Sequence, residues 1–336
     1  NFEKSFALVE DILLEPRWDE EQFKIVKNRM LNNLKRNAAN PNYLADAAFM
    51  KLVYGEGHIL TSDIGGTAES VSSITPDDLK DYYKNTFSPS VASLNVVGDI
   101  DLNRVQKAAR NIVSRWTPFR VDIPAITPPQ KPEKSKIYFV DIPGAKQSVI
   151  QIGGPAMPRT DPGFFPATVV NHKLGGSFNG ILNLILREEK GFTYGARSAF
   201  SGGINYGEFT ASSSVRSSAT LESVCIFKEE IEKYTGKISE EDLQFTKNAL
   251  TRSNARNFET LPAKLEMLNE ITKYKKPVDY IRSEENFIRS LTPESHVKLA
   301  QQYIQHDHFY YVVAGDAETQ LKALEKAGLG TPVLLK

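Results

Sequence analysis

The sequence predicts an α+β fold in which a mainly antiparallel sheet packs on helices. Strand-like apolar runs gather between residues 136 and 215, and helical patterns fill most of the chain after them. Early strands followed by late helices are typical of α+β layers and not of a doubly wound parallel sheet. A third observation, an internal repeat, predicts that this two-layer module is duplicated and that its first copy is incomplete.

Helical periodicity dominates residues 1–116. Thr75 and Pro76 are typical of a helix start, with the threonine as N-cap and the proline in the first turn. An apolar run closed by Gly98 and Asp99 indicates a strand followed by a turn. The predicted elements are helices over 2–15, 20–34, 43–54, 76–87 and 102–116 and a strand over 91–97.

A proline-rich segment separates this region from the rest of the chain. Five prolines lie between residues 117 and 134, and this spacing excludes a helix and favours an extended connection. We therefore predict three parts, which are the second half of a first module (1–116), a linker (117–135) and a complete second module (136–330). The second module is predicted to contain strands over 136–141, 148–153, 193–201, 208–215 and 309–314, helices over 164–174, 180–188, 219–234, 240–257, 263–274, 278–288 and 293–304, and a last short helix.

Two blocks of the first region recur in the second. The block 74–99, which starts with Ile-Thr-Pro and ends with Gly-Asp, recurs at 291–316 with an offset of 217. The block 20–28 recurs at 240–248 with an offset of 220. Helix starts and strand ends are common, but their ordered recurrence favours duplication over chance. Residues 1–116 then match only the later half of the module, and the counterpart of 136–218 is expected upstream of Asn1.

Composition excludes several classes of function. The chain has 41 Lys and Arg residues against 41 Asp and Glu residues, so no net charge favours a nucleic acid or an anionic membrane as partner. The single Cys225 excludes an internal disulfide and a cysteine-ligated zinc finger. No apolar run approaches the roughly 20 residues of a transmembrane helix, and no signal peptide opens the chain. These features predict a soluble chain that begins within a longer protein.

Neither zinc-hydrolase motif, HExxH or HxxEH, occurs in the sequence. His58, His172 and His296 are isolated, and for His172 we favour a surface or packing role. His306 and His308 flank an aspartate where a helix passes into a strand, which favours a solvated turn over a metal site.

Two further polar stretches have simple structural interpretations. The serines at 212–214 have no nucleophile-elbow context and no nearby base in the pattern, so they indicate a polar strand end. The glycines at 175, 176 and 180 lack the lysine and the spacing of a phosphate loop, so they indicate a connection between two helices.

The segment 186–195, with the sequence LREEKGFTYG, leaves a helix and enters a strand. A helix C-terminus with Gly191 as its left-handed terminator explains Lys190 and Gly191. Together with LGGSFN at 174–179, the segment resembles the C-terminal-type domain of the pitrilysin/insulinase family of inverted zincins, which includes mitochondrial processing peptidase. The first region agrees, because 14–23, 40–55 and 74–99 resemble the later half of that family's repeat.

The resemblance implies roles for particular residues. In the family, an arginine and a tyrosine seven residues apart reach the substrate beside the zinc, and Arg187 and Tyr194 match this pair. A guanidinium offers a fixed fork of donors to peptide carbonyls, and a tyrosine hydroxyl can donate to a tetrahedral oxyanion. The expected substrate-binding residues are Gly175, Gly176, Ser177 and Phe178.

The resemblance also implies where the metal belongs. The family's HxxEH motif lies in the early half of a first module, and a further glutamate ligand comes from a later helix. Asn32 and Asn33 stand where that glutamate is expected, and an amide is a poor zinc ligand. We therefore expect zinc in the complete enzyme but none on this chain, which alone is predicted to be inactive. The zinc-bearing module is expected upstream or on a partner subunit.

Substrates in this family are short or unfolded peptides enclosed between two bowl-like halves. Strand addition would give such peptides backbone hydrogen bonds, and the strand 206–215 or its neighbour is the candidate edge. One alternative is a non-catalytic structural subunit, which the asparagines favour and the Arg187 and Tyr194 pair opposes. The other is a small-molecule-binding domain, supported only by the glycines at 175, 176 and 180. The resemblance favours a bacterial periplasmic or cell-envelope location over a cytoplasmic one.

Overall fold

The computed structural model describes residues 2–129, 131–256 and 258–335. It confirms the α+β class, with helices packed on a six-stranded mixed sheet. The helices are α1 Phe2–Leu14, α2 Glu20–Asn37, α3 Pro41–Tyr54, α4 Ala68–Ser73, α5 Pro76–Thr86, α6 Leu102–Arg115, α7 Phe164–Asn171, α8 Ile181–Asn183, α9 Thr220–Gly236, α10 Glu240–Arg256, α11 Leu261–Tyr274, α12 Tyr280–Ser290, α13 Pro293–Tyr303 and α14 Ala317–Gln320. The strands are β1 Lys136–Asp141, β2 Gln147–Pro155, β3 Thr193–Gly202, β4 Gly207–Arg216, β5 Tyr310–Gly315 and β6 Val333–Leu335.

Most predicted elements lie within a few residues of their observed bounds. The short helix α4 and the short strand β6 were not predicted. The predicted helices over 164–174 and 180–188 continue into π-helical turns, at His172–Gly176 and Leu184–Glu189. The predicted end of a helix at Asn257 lies outside the described residues. No helix in the described part of the chain combines the length and the apolar character that crossing a membrane requires.

The chain forms two compact units, and each unit is assembled from three segments that are not contiguous in the sequence. One, the helical unit, consists of Asn1–Arg36, Ile64–Ala125 and Arg256–Thr272. The other, the sheet unit, consists of Asn37–Asp63, Ile126–Ala255 and Lys273–Lys336. Consequently α3 belongs to the sheet unit, although it lies in the first region of the sequence, and α11 contributes to the helical unit. The module boundaries at 116 and 136 remain a prediction about the sequence repeat.

The sheet unit contains all the described strands, in the order β3-β4-β2-β5-β1-β6. The pairs β3–β4, β4–β2 and β2–β5 are antiparallel, whereas β1 runs parallel to both β5 and β6. Alternation along β5 sends Tyr311 and Val313 to one face of the sheet and Val312 and Ala314 to the other.

Helices cover both faces of this sheet. On one face, α9 buries Phe227 and Ile231 against a core that includes Ile150 of β2. On the other face, α3 buries Phe49 and Val53 against β2 and β5. Burial of each such side chain contributes about 2–3 kcal/mol to the hydrophobic stabilisation. The helix α3 covers only part of this face of the sheet and leaves the β3 end of the sheet accessible.

The helical unit differs from the prediction at one element. The predicted strand over 91–97 is wrong, because residues 92–97 belong to no helix and pair with no described strand. None of the strands described in the chain lies in this unit, and an extended segment becomes a strand only when a neighbour completes its hydrogen bonds. Instead, the Asn95 side chain donates to Asn269 Oδ1 and Thr272 Oγ1 of α11, each at 2.9 Å.

Local contacts repeat at the offsets that the sequence predicts. Thr75 and Thr292 each form a capping box at the start of a helix with proline at its first position. The Lys27 ammonium donates to the Ser72 carbonyl at 2.7 Å, and the Lys247 ammonium donates to the Arg289 carbonyl at 3.2 Å. These positions differ by 220 (247 minus 27) and by 217 (289 minus 72). The same offsets relate α3 to α11 and α5 to α13, which supports duplication of the helical half of the module.

Candidate functional site

A cavity of about 690 Å³ opens on the sheet unit at the β3 end of the sheet. Its walls come from the first turns of α3, from the π-helical turn after α7, and from the start of β3. Its floor is the middle of β4 and β2. The lining residues are Asn42, Asp46, Val149, Gln151, Gly175, Gly176, Ser177, Phe178, Asn183, Tyr194, Gly195, Ala196, Arg197, Ser212, Ser213 and Ser214.

The floor is polar because β4 alternates. Phe209, Ala211 and Val215 point into the core, whereas the even-numbered residues of 208–214 face the side of α3. The Ser214 hydroxyl donates to Asn42 Oδ1 at 3.2 Å, so α3 is tied to the floor by side chains. The serines at 212–214 do lie on a strand, as predicted, and they also line the cavity.

The predicted substrate-binding residues 175–178 form one wall of this cavity. They belong to or follow the π-helical segment His172–Gly176, so Gly175 and Gly176 continue a helix, whereas Gly180 lies in the connection before α8, as predicted. Gly175 must be glycine for a steric reason. A Cβ at this position would lie 2.5 Å from both the backbone nitrogen and the hydroxyl of Ser198, so the turn packs directly on β3.

Two buried asparagines bind the outer edge of β3. The Asn171 side chain donates to the Ser198 carbonyl at 2.8 Å, and Asn183 Oδ1 accepts from the Ala196 amide at 3.0 Å. The strand proposed as an edge, β4, is paired on both sides, so that expectation is wrong for β4. The neighbour β3 is the edge of the described sheet, but the asparagines already occupy its hydrogen-bonding groups at 196 and 198.

Tyr194 lies on a β-bulge at the start of β3. The β3–β4 register shifts between Thr193 and Ala196, and the Gly195 amide donates to Thr193 Oγ1 at 3.0 Å. The Ser213 hydroxyl donates to the Gly195 carbonyl at 2.9 Å and fixes the other side of the bulge. Bulges redirect a side chain relative to the regular strand, and here Tyr194 is 92% exposed at the mouth of the cavity.

Arg187 lies on the second π-helical segment and reaches the cavity through Phe178. Its guanidinium carbon is 4.6 Å from the centre of the Phe178 ring, and Nε is 3.3 Å from Glu188 Oε1. Gly191 has a φ of +61° and ends the helix, as the sequence predicts. The structure therefore gathers Tyr194 and residues 175–178 around the cavity, with Arg187 stacked on its rim.

Sequence reasoning missed five other polar residues that line the cavity, namely Asn42, Asp46, Gln151, Asn183 and Arg197. Alternation along β2 and β3 would have indicated that Gln151 and Arg197 share the face of the sheet opposite the core. No local signal could have identified Asn42 and Asp46, because they come from a helix more than a hundred residues earlier in the chain.

The described residues offer no set of ligands that fits a zinc ion. Among the described residues, no three side chains of His, Cys, Asp or Glu gather into a group that could hold a metal. Asn32 and Asn33 lie on α2, where Asn33 Oδ1 accepts a hydrogen bond from Arg36. The groups at these two positions of α2 are thus neutral amides.

The histidines have structural surroundings. The His172 ring stacks on Phe245 at 5.9 Å, and burial lowers its pKa, in agreement with a packing role. His296 is fully buried, with Nε2 3.2 Å from the Tyr234 hydroxyl. His308 Nδ1 lies 3.0 Å from the Pro132 carbonyl within a short helical turn.

Comparison with known proteins decides the family. A sequence profile described as the peptidase M16 inactive domain matches residues 73–250, more than half of the chain. The chain belongs to the peptidase M16 family. This confirms the family resemblance inferred from the sequence.

Related M16 proteins differ in their described activity. An uncharacterized zinc protease from Streptomyces coelicolor is 22% identical over 226 residues, which cover 66% of this chain and 49% of that protein. A non-peptidase homolog from Helicobacter pylori is 20% identical over 267 residues, which cover 78% of this chain and 60% of that protein. The chain thus spans about half the length of the curated relatives that it matches.

The fold also matches a solved M16 structure. The crystal structure of a peptidase M16 inactive domain from Pseudomonas fluorescens superposes with a TM-score of 0.84 and 22% identity. The match covers 93% of this chain and 74% of the other. The two proteins therefore share the α+β architecture.

Proposed function

We propose that this chain binds peptide substrates and assists the transition state in an M16-type zinc peptidase, with the zinc site on another module or subunit. The single observation that carries the proposal is the position of Tyr194. Its side chain is almost fully exposed, on a bulge fixed by hydrogen bonds, at the mouth of a polar cavity.

A peptide in this cavity would find hydrogen-bonding groups on two sides. The serines and Gln151 of the floor can bind backbone amides and carbonyls, and the turn 175–178 offers a wall without bulky side chains before Phe178. Few apolar side chains line the cavity, so it suits a peptide backbone better than a single large apolar residue.

Arg187 and Tyr194 would have different tasks. A hydroxyl that is free to turn toward the substrate can donate to the oxyanion that forms when water attacks a peptide carbonyl. The Arg187 guanidinium lies over the Phe178 ring and can offer its fork to a substrate carbonyl. Neither role requires a metal ligand from this chain.

The remaining parts of the reaction would come from elsewhere in the complete enzyme. This chain has no HxxEH sequence, and it spans about half the length of relatives described as zinc proteases. A zinc-bearing module, upstream in the same protein or on a partner subunit, would supply the metal and the attacking water. The chain alone is expected to be inactive and to bind no stoichiometric zinc, which elemental analysis can check.

A non-catalytic subunit is the second candidate. The matched profile describes an inactive domain, and the Helicobacter pylori relative is a non-peptidase homolog. In this case the cavity could hold a peptide segment of a partner without any cleavage.

Peptide hydrolysis by the complete protein or the reconstituted pair separates these candidates. We expect Tyr194→Phe to lower kcat by roughly a hundredfold, the usual effect of losing an oxyanion donor. Arg187→Ala should lower kcat/KM, and Phe178→Leu should have a smaller effect of the same kind because it removes only the stacking surface. Tyr82→Phe, at an exposed tyrosine of the helical unit, is the matched control and should leave turnover unchanged.

Unchanged turnover in both Arg187→Ala and Tyr194→Phe would contradict the catalytic role. If the folded complex with its zinc-bearing half cleaves no peptide at all, the non-catalytic candidate is the better account.

A further inference from the structure

A row of polar side chains crosses the floor of the cavity at right angles to the strands. Arg197 of β3 is opposite Ser212 of β4, and Ser212 is opposite Gln151 of β2. The Gln151 amide then donates to Asp46 Oδ1 of α3 at 3.1 Å. The row therefore begins with a cation, passes two neutral hydrogen-bonding groups, and ends with an anion.

The cation at one end is available to a ligand. Arg197 is exposed, and within the part of the chain that the structure describes its guanidinium makes no hydrogen bond or ion pair. A guanidinium stays charged at any physiological pH and matches the geometry of a carboxylate. Solvated arginines are common on convex surfaces, but this one lines a cavity.

The opposite end is negative. Asp46 is exposed, and only one of the two carboxylate oxygens of Asp46 accepts the hydrogen bond from Gln151. Glu208 lies on the same face of β4, where burial and, to a smaller extent, the neighbouring Asp46 raise its pKa. The two charged ends are thus held apart, because Asp46 is bonded to Gln151 and not to Arg197.

The length of the row fits a short piece of peptide. Neighbouring strands lie roughly 4.8 Å apart, so two strand spacings separate Arg197 from Gln151 by about 10 Å. A peptide in the polyproline II conformation advances about 3.1 Å per residue with three residues per turn, so side chains three residues apart lie on the same side and are about 9 Å apart. This matches the distance from Arg197 to Gln151, to which Asp46 is bonded.

We propose that this row is a charge-reading subsite of the cavity. Arg197 binds a carboxylate of the peptide, and Asp46 binds a cationic side chain or amino group about three residues away, with the backbone over Ser212 and Gln151. The inference rests on the proposed function only in placing a peptide in this cavity. It adds a preference for peptides that carry opposite charges at this spacing.

Fluorescence anisotropy with labelled peptides tests the subsite without turnover. The complete protein is kept in a chelator so that no peptide is cleaved. The probe is a Gly/Ser-rich peptide with one Glu and one Lys three residues apart, and it is compared with peptides in which Gln replaces the Glu or the Lys. We expect each replacement to weaken binding by about tenfold, the effect of losing one charge-assisted hydrogen bond.

The variants assign each preference to one residue. Arg197→Gln should abolish the preference for Glu, and Asp46→Asn should abolish the preference for Lys. Arg216→Gln, at an arginine of β4 outside the cavity, should retain both preferences. Equal binding of all peptides to the wild type, or an unchanged Glu preference in Arg197→Gln, would overturn the inference.

Failure of the proposed function has a different signature. It requires unchanged turnover in the Arg187 and Tyr194 variants, whereas the subsite is decided by binding alone. If Arg197→Gln and Asp46→Asn abolish the charge preferences while the Arg187 and Tyr194 variants keep full turnover, the chain binds peptides but has no catalytic role.

Discussion

The segment 93–98 and the strand β5 occupy the same place in the repeat but have different structures. Tyr310–Gly315 is paired on both sides, in parallel with β1 and antiparallel with β2. The segment 93–98 lies 217 residues earlier and pairs with no described strand. The helices that follow the two Thr-Pro starts, in contrast, have the same length, and each begins with a threonine N-cap in a capping box.

This difference shows which parts of the module are locally determined. A capped helix satisfies its backbone groups within itself, so it forms in both copies. A strand depends on partners from distant parts of the chain, so only the copy with those partners builds a sheet. The candidate site requires a sheet floor and a bulge, and it therefore belongs to the sheet unit.

The largest expected difference concerns the helices α3 and α11. Phe49 is fully buried against the sheet, and its counterpart at an offset of 220 is Asn269, which accepts a hydrogen bond from Asn95. Phe49→Ala should lower the free energy of unfolding by about 3–5 kcal/mol, whereas Asn269→Ala should lower it by about 1 kcal/mol. Urea denaturation measures both, and equal losses would break the comparison.

The second difference is in pH dependence. Burial lowers the pKa of His296 from its ordinary value near 6.5 to about 4, while its counterpart at an offset of 217 is Leu79, which does not titrate. The His296 side chain becomes protonated at a higher pH in the unfolded chain than in the folded chain. Folding stability should therefore fall as the pH drops from about 6.5 to 4, by roughly 3 kcal/mol in total.

Urea denaturation across this range with wild type and His296→Leu isolates the effect. The variant should lose this part of the acid sensitivity, and His306→Gln, at a partly exposed histidine, should keep it. An unchanged pH profile in His296→Leu would show that another group is responsible.

The third difference concerns the glycines that close the two repeats. A Cβ on Gly315 would lie 2.7 Å from Ser148 Oγ, whereas a Cβ on Gly98 would meet no atom within 4 Å. Gly315→Ala should therefore lower the unfolding free energy by about 1–3 kcal/mol through overpacking, and Gly98→Ala should change it by less than about 0.5 kcal/mol. Thermal melting curves of the two variants provide the measurement, and a larger effect at Gly98 would contradict the account.

The smallest difference concerns a lysine that both copies share. Lys27 donates to two carbonyls, of Ser72 and Ile74 at 2.7 and 2.8 Å, and Lys247 donates to one at 3.2 Å. Lys27→Met should lower the unfolding free energy by about 1 kcal/mol and Lys247→Met by less. Calorimetry at low and high salt measures both losses of unfolding free energy. The larger loss in Lys27→Met should persist at high salt, because the Lys27 contact is part-buried.

The helices and the strands of the sheet unit could be predicted because their patterns are local. Thr75 and Thr292 indicate where helices begin, Gly191 indicates where a helix ends, and alternation along β4 indicates a strand. The unpaired state of residues 92–97 could not be predicted, since Val91 to Val97 have the composition of a strand and only the missing neighbours decide the outcome.

The site was predictable where one segment of sequence carries it. Residues 175–178 and Tyr194 follow from a contiguous pattern, and the cavity brings them together. Arg197 and Gln151 required the register of three strands, and Asp46 required knowing that α3 packs on the sheet unit. The hydrogen bonds that fix the bulge at Tyr194 likewise involve Ser213 of another strand. The local sequence around Tyr194 does not indicate this contact.

The most direct test of the central claim is to ask what Tyr194 touches in the working protein. A photoreactive benzoyl-phenylalanine at position 194 of the complete protein is illuminated with a labelled peptide, and the adduct is mapped by mass spectrometry. The account predicts a peptide adduct at position 194 and none when the same residue replaces Tyr82 of the helical unit. No adduct at 194, or equal adducts at both positions, would contradict it.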